Sequence, residues 1–399
     1  MKFFLTVFII PFLFLGQDSL QLTYVPDDNF EQRLIDFGYD DVLDDYVVTD
    51  SINSISNIAL NSLGINDLTG IQDFTSLVGL NVQQNNISSL DFTNNIDLEI
   101  LYCQGNALVN LDISSNYNLI ILNASVNELV SIDISQNPEL EIVNLNNNFI
   151  SSIDLSANIN IKELSIADNN ISSINVGGIG ILELLYLPRN EISNLDVSNN
   201  TLLVDLDLYN NNINSIDLSN NLYLNRLNLG LNNIDEIDLS TNSLLVNFKI
   251  NNNNLSTLDV SNNFLLEEFW CFDNNLPCIQ VFDVYYASQQ ENIFIGNSQN
   301  SYFRKDSNAI WSLNCEAEFG CTDLNACNYD PLVNIDDDSC VYPLENADCN
   351  GDCLVDYYNF GNGCELIIEG CTDETACNYD PLVNIDDDSC VYPLENADC

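Results

Sequence analysis

Leucine, isoleucine and asparagine recur along this chain in a fixed order. Asn85, Asn106, Asn127, Asn148, Asn169, Asn190, Asn211, Asn232, Asn253 and Asn274 follow one another at intervals of 21 residues. Counted from Asn85, the positions of Leu77, Leu80, Val82, Ile87, Leu90 and Phe92 stay apolar in all ten copies, with Cys103, Ala124 and Cys271 as small apolar members. The unit reads LxxLxLxxNxIxxLDxSxN. Alternation of Leu80 and Val82 about Asn81 predicts a short strand with its apolar side chains inward. Leu90 and Phe92 alternate about Asp91 in the same way and predict a second extended piece on the opposite side. A unit this short leaves no room for a long helix there. The period and front half carry the signature of leucine-rich repeats, so a mostly β repeat solenoid is expected over 57–276.

Asn85 and its equivalents stand where the chain leaves the strand. An inward amide there can satisfy backbone groups of the turn and of the neighbouring coil. A second column runs through Asn95, Asn116, Asn137 and Asn158, then Asn200, Asn221, Asn242 and Asn263. Both columns read as scaffold. One coil departs: "INVGGI" at 174–179 lacks the Asp, the Ser and the second asparagine. It reads as a worn repeat, with a local kink serving a contact as the alternative.

The apolar side chains of one coil do not offset the entropy of ordering its backbone, so coils must stack and both ends need covers. In "PDDNFEQRLIDFG" (26–38), Asp28 and Glu31 have capping-box spacing, Phe30, Leu34 and Phe37 share a face, and Gly38 is a stop signal. A short helix closing the first coil is expected within an N-terminal cap at 17–56. Ile58, Leu60, Ile65 and Leu68 begin a divergent opening repeat. Past Asn274 the pattern decays, and 277–319 is expected to form a C-terminal cap clasped by a Cys278–Cys315 disulfide.

Charge narrows the function. Eight Lys and Arg stand against 60 Asp and Glu, a formal charge of -52, which argues against nucleic acid and anionic membrane surfaces as partners. Histidine is absent, which removes Ser-His and Cys-His nucleophile pairs and most zinc sites. A carboxylate pair could hydrolyse a glycoside, but chance supplies such pairs in a chain this acidic. No enzyme is expected. "MKFFLTVFIIPFLFLGQ" has a charged start, a short apolar run and a small residue, the form of a cleaved signal peptide at 1–16. No other segment approaches transmembrane length. A secreted or outer-surface protein, monomeric and without a bound cofactor in the solenoid, is the expectation.

Residues 320–349, "GCTDLNACNYDPLVNIDDDSCVYPLENADC", recur at 370–399 with changes only at Leu324 and Asn325, so two cysteine-rich modules at 320–369 and 370–399 are expected. Cysteines this dense in an exported chain read as a disulfide framework, with zinc as the weaker rival and the pairing left open. Asp336, Asp337 and Asp338, with Asp386, Asp387 and Asp388, offer hard oxygen ligands suited to calcium, against the plainer reading of a solvated loop. The second module stops at Cys399 with fewer cysteines than the first, which reads as a fragment of a longer surface protein.

The repeat unit resembles that of the internalin-like leucine-rich repeat proteins of bacteria. With "VPDDNFEQ" leading in and "LDxSxN" in its coils, residues 24–315 look most like the secreted Bacteroidota type. The tail resembles the GCTDxxACNY…DDGSC repeats of surface proteins from the same bacteria. Those continue into a DxDxDG calcium loop, where this chain has "DYYNFGNG" with Tyr358 and Phe360 in place of acids. The resemblance implies binding or adhesion at a cell surface to an extracellular protein or polysaccharide, without naming the ligand.

Exposed front-strand positions follow Asn81 and Gln83 in steps of 21. They are polar and small in the middle coils (Asn123, Ser125, Asn144, Asn146, Ser165, Ala167) and then become Tyr186, Asp207, Tyr209, Lys249, Trp270 and Phe272, with Arg226 beside them. Those seven form the expected ligand-binding patch. The bland reading of Trp270 and Phe272 is contact with the C-terminal cap. The rival function is a structural spacer or matrix protein with no specific ligand.

Overall fold

The computed structural model describes residues 20–291, 302–315, 319–331, 333, 335–359, 361 and 363–392. The expected leader, Phe360 and Cys399 lie outside them. No described helix is long and apolar enough to cross a membrane.

The chain opens with β1 (Leu22–Tyr24), α1 (Asp28–Phe37), β2 (Tyr46–Val48) and the single-turn α2 (Thr49–Ile52). The cap of α1 is Asp27, one residue before the expected Asp28, and its carboxylate accepts from the N–H groups of Asn29 and Phe30 at 3.0 and 3.1 Å. Glu31 does not complete a capping box. It is fully buried and accepts from the N–H groups of Asp44 and Tyr46, tying the following loop to the helix. Gly38 ends α1 at φ 80°, a left-handed conformation that costs glycine nothing. Phe30 and Leu34 are fully buried, but Phe37 is 41% exposed and faces out, with the Arg33 guanidinium 4.3 Å from its ring centroid.

The repeats build one parallel sheet from β3 (Asn57–Ala59), β4 (Gly79–Asn81), β5 (Ile100–Tyr102), β6 (Ile121–Asn123), β7 (Ile142–Asn144), β8 (Glu163–Ser165), β9 (Leu184–Tyr186), β10 (Asp205–Asp207), β11 (Arg226–Asn228), β12 (Asn247–Lys249) and β13 (Glu268–Trp270). Each strand pairs with the next in the register set by the 21-residue period, as in Leu80 with Leu101 and Leu227 with Phe248. The divergent opening repeat joins in register, Ile58 opposite Leu80. The fold is therefore a parallel leucine-rich repeat solenoid followed by a disulfide-rich region.

Leu80, Val82, Ile87 and Phe92 with their equivalents form the buried core. The column of Leu90 joins it in part: Leu111, Ile132, Leu195, Leu258 and Ile279 are buried, whereas Leu90, Ile153, Ile174, Ile216 and Ile237 are half-buried. Among the described residues the expected extended piece on the back forms a strand in the last copy, at Cys278–Gln280, and none in the copies before it. Its Asp folds over instead, as Asp133 does in accepting from the Ser135 N–H at 2.9 Å, and the same turn occurs at Asp112, Asp154, Asp196, Asp217 and Asp238. A short carboxylate that captures its own backbone competes with a hydrogen-bonded ladder.

The asparagines act as expected. Asn148 Nδ2 donates to the carbonyls of Ala124 and Leu145 at 3.1 and 3.0 Å, and its Oδ1 accepts from the Leu129 N–H at 3.0 Å. Asn127 and Asn169 bond to the same two carbonyls from the adjacent coils, so the column is continuous. Members of the second column also donate twice, as Asn137 does to Ile113 and Asn116, while their Oδ1 atoms accept nothing. These side chains serve as paired donors, a role no other short neutral side chain fills. The divergent coil keeps its place: β8 and β9 pair in register, and Asn175 stands in for the missing Asp by accepting from the Gly177 N–H at 3.0 Å.

Two compact units divide the chain. The first runs to Pro277 and takes back Tyr285–Ala309; the second joins Cys278–Val284 to residues from 310 onward. In the first unit, β15 (Phe303–Arg304) adds a twelfth strand beside β13, and the Phe303 ring meets Phe269 and Tyr286 edge-on. Between these, β14 (Cys278–Gln280) and α3 (Val284–Glu291) precede β15. In the second unit, β14 pairs with β16 (Ile310–Ser312), and the expected Cys278–Cys315 disulfide is present. The described tail cysteines form disulfides and are not held for zinc, among them Cys321–Cys340, Cys327–Cys349, Cys353–Cys364 and Cys371–Cys390. The repeated pairing, with Tyr342 donating to Asp323 and Tyr392 to Asp373, shows two copies of one small module.

Candidate functional site

Side chains alternate across a strand, so each repeat strand sends its middle residue into the core and its two flanking residues to the front. The chain then turns through a residue with positive φ just before each Asn85-type asparagine: φ is 54–57° at Gln84, Val126, Asn147, Asp168, Arg189, Asn210, Leu231, Asn252 and Asp273, and 69° at Gly105. That recurring left-handed residue sets the direction in which the third outward position, that of Gln83, leaves the strand. The front face thus has three columns, headed by Gly79, Asn81 and Gln83.

The expected patch lies on β9 to β13, and its members are tied together. The Tyr186 hydroxyl donates to Asp205 Oδ2 at 2.7 Å, and Arg226 Nε lies 3.3 Å from the same oxygen. Asp205 is nearly buried, so this carboxylate is shared between a phenol and a guanidinium. Burial, then the Asp205 hydrogen bond, pushes the Tyr186 phenol well above its ordinary pKa. Asp207 accepts from the Tyr209 N–H at 2.9 Å and from Asn228 Nδ2 at 3.2 Å, yet burial outweighs these bonds and raises its carboxyl pKa. Lys249 pairs with Glu268 at 3.0 Å and lies 4.1 Å from the Trp270 ring centroid.

Trp270 is covered from two sides. Arg304, which continues its column in β15, sits 4.7 Å from the same ring, and the indole Nε1 is buried with no partner among the described residues. A sugar could stack on this ring only by displacing a cation. Phe272 lies at a tilt beside it, centroids 6.3 Å apart. Tyr186, Asp207, Tyr209, Arg226 and Lys249 therefore form the accessible part of the patch, with Trp270 as its support. Stepping along 81 and 83 alone misses Asp205, Glu268 and Arg304. The first two stand in the column of Gly79, and Arg304 lies outside the 21-residue period. Arg189, bonded by Nε and Nη2 to Asp168, and Lys162, 2.7 Å from Glu141, extend the run of inter-coil ion pairs towards the middle coils.

The tail aspartates do not converge. Asp336 and Asp337 accept from the N–H groups of Asp338 and Ser339 at 3.1 and 3.0 Å, and Asp386 and Asp387 repeat this with Asp388 and Ser389. Among the described residues no three acidic, Cys or His side chains are grouped as metal ligands. Calcium would have to draw these carboxylates out of their turns.

No family model and no curated protein matches the chain. Solved structures do. The functional domain of InlJ from Listeria monocytogenes, described as including a cysteine ladder, is 29% identical, with 73% of each chain covered and a TM-score of 0.65. An internalin from the same species, InlF, is 20% identical over 79% of this chain and 96% of its own, with a TM-score of 0.54, a likeness of fold. The chain thus has internalin-like leucine-rich repeat neighbours. In this chain two free cysteines, Cys103 and Cys271, share one buried column, and burial pushes the Cys103 thiol up to about 12.

Proposed function

We propose that this is a secreted or cell-surface binding protein that grips an extracellular protein or glycan with the front of β9 to β13. One observation carries the reading. Six of the eight basic residues fall between Lys162 and Lys305, and Arg226, Lys249 and Arg304 stand on the front strands among Tyr186, Tyr209 and Trp270. In a chain of charge -52 this concentration gives one surface both signs of charge and amphipathic aromatic area, the composition of a contact surface. The internal bonds of Tyr186, Asp205, Asp207 and Arg226 hold the side chains in place before a partner arrives, which lowers the entropy cost of binding.

A glycan array run beside a pull-down from a surface extract identifies the ligand. The double variant Tyr186→Ala, Tyr209→Ala should then lose binding by about a hundredfold at unchanged melting temperature. Full affinity in that variant would place the site elsewhere. The second reading, a spacer without a ligand, is favoured by the pairing of Arg226 and Lys249 inside the sheet, and an empty array with an empty pull-down supports it. Calcium in the tail is decided by titrating the full chain: a rise in the tail's melting transition supports it, and an unmoved transition removes it.

A further inference from the structure

Far from that patch in sequence, the first coils carry a different surface. In the column of Gly79, the next three coils present Ile100, Ile121 and Ile142, each a large side chain on the front. Gly79 presents none, so the Asn57 side chain lies close over it, and Ala59, opposite Asn81 in the next column, presents one methyl. The two small residues open a depression of about 480 Å³, lined by Phe37, Tyr39, Ile58, Leu80, Ile100 and Tyr102 among others. Its floor is the buried pair Ile58 and Leu80, its walls are the end of α1 and the side chains of β5. This explains the outward turn of Phe37: the third apolar residue of the capping helix forms a wall, its ring 5.9 Å from that of Tyr39.

The charge around it is predominantly negative. Between residues 20 and 161 the sole basic residue is Arg33, whose guanidinium lies over the Phe37 ring. Asp36, Asp40 and Asp41 flank the two wall aromatics in sequence, and Glu99 precedes Ile100. An apolar, aromatic-walled hollow in an acidic field complements a large apolar side chain flanked by cations.

We propose that this hollow is a second docking site, which takes a basic segment of a protein partner by inserting one aromatic or large aliphatic side chain between Phe37, Tyr39 and Tyr102. The proposal stands independently of the patch on β9 to β13. The test uses the full chain and fluorescence anisotropy with three labelled peptides: Lys-Arg-Trp-Arg-Lys, its neutral counterpart Gln-Gln-Trp-Gln-Gln, and Lys-Arg-Ala-Arg-Lys. The first should bind at least about tenfold tighter than either of the others, and added salt should weaken it. Ala59→Leu fills the hollow from an exposed position, and Tyr102→Ser removes a wall; each should weaken the first peptide about tenfold with unchanged melting. Equal affinity for the three peptides overturns the proposal, as does wild-type affinity in both variants. Loss of the peptide in the Tyr186→Ala, Tyr209→Ala variant also overturns it, by assigning the peptide to the other patch.

Discussion

The Asn85-type side chain does three things at once. It donates to carbonyls of two coils and accepts from a third backbone group, so its removal cannot be repaired by a neighbour. In Asn148→Ala the carbonyls of Ala124 and Leu145 each keep one amide, from Asn127 and Asn169. The Leu129 N–H has Asn148 Oδ1 as its acceptor and loses it. An unpaired buried donor, together with the lost bonds, should cost about 2–3 kcal/mol in a urea titration. A loss below about 0.5 kcal/mol, the size of an ordinary surface change, would mean that water replaces the amide. This role was legible in the sequence because a strict period combined with a polar residue leaves the backbone as the natural partner. The hollow beside Gly79 was harder to read: it becomes visible only when Asn57, Ile100 and Phe37 are placed around it.

Among the elements, the front strand followed from alternation and the back segment did not. Leu90 and Phe92 alternate as strand residues should, but Asp91 lies between them with a hydroxyl residue two places on, and local capture prevails. The Asp133 carboxyl is held below the ordinary carboxylate range by the Ser135 N–H and then by its hydroxyl. A depressed folded pKa stabilises the fold above the unfolded pKa, and the contribution is lost as pH falls through the folded value. Asp133→Ala should therefore lower the melting temperature at neutral pH, and the gap from wild type should close in acid. A gap that persists once the carboxyl is protonated would assign the effect to packing. The C-terminal end shows the opposite limit of sequence reading. Trp270 was placed on the front correctly, but the cation that covers it, Arg304, arrives after the period has ended, so no spacing rule pointed to it.

At the scale of the whole molecule, the ion pairs described above have a consequence for survival outside a cell. Trypsin-like proteases cut after lysine or arginine and need a stretch of chain that can be drawn out into their cleft. Here Arg33 lies in a helix, Arg226, Lys249 and Arg304 lie in strands, and Lys162, Arg189 and Lys305 are ion-paired to Glu141, Asp168 and Glu291. From residue 306 to 399 there is no basic residue at all. Cleavage at the described sites must therefore wait for local opening of the sheet or helix, whose free energy lies well above that of a loose loop. Incubated with trypsin, the native chain should stay uncut at every site from Arg33 to Lys305 long after the urea-unfolded chain has been cut. The scarcity of positive charge that draws attention to one face also leaves digestive enzymes of that class with almost nowhere to begin.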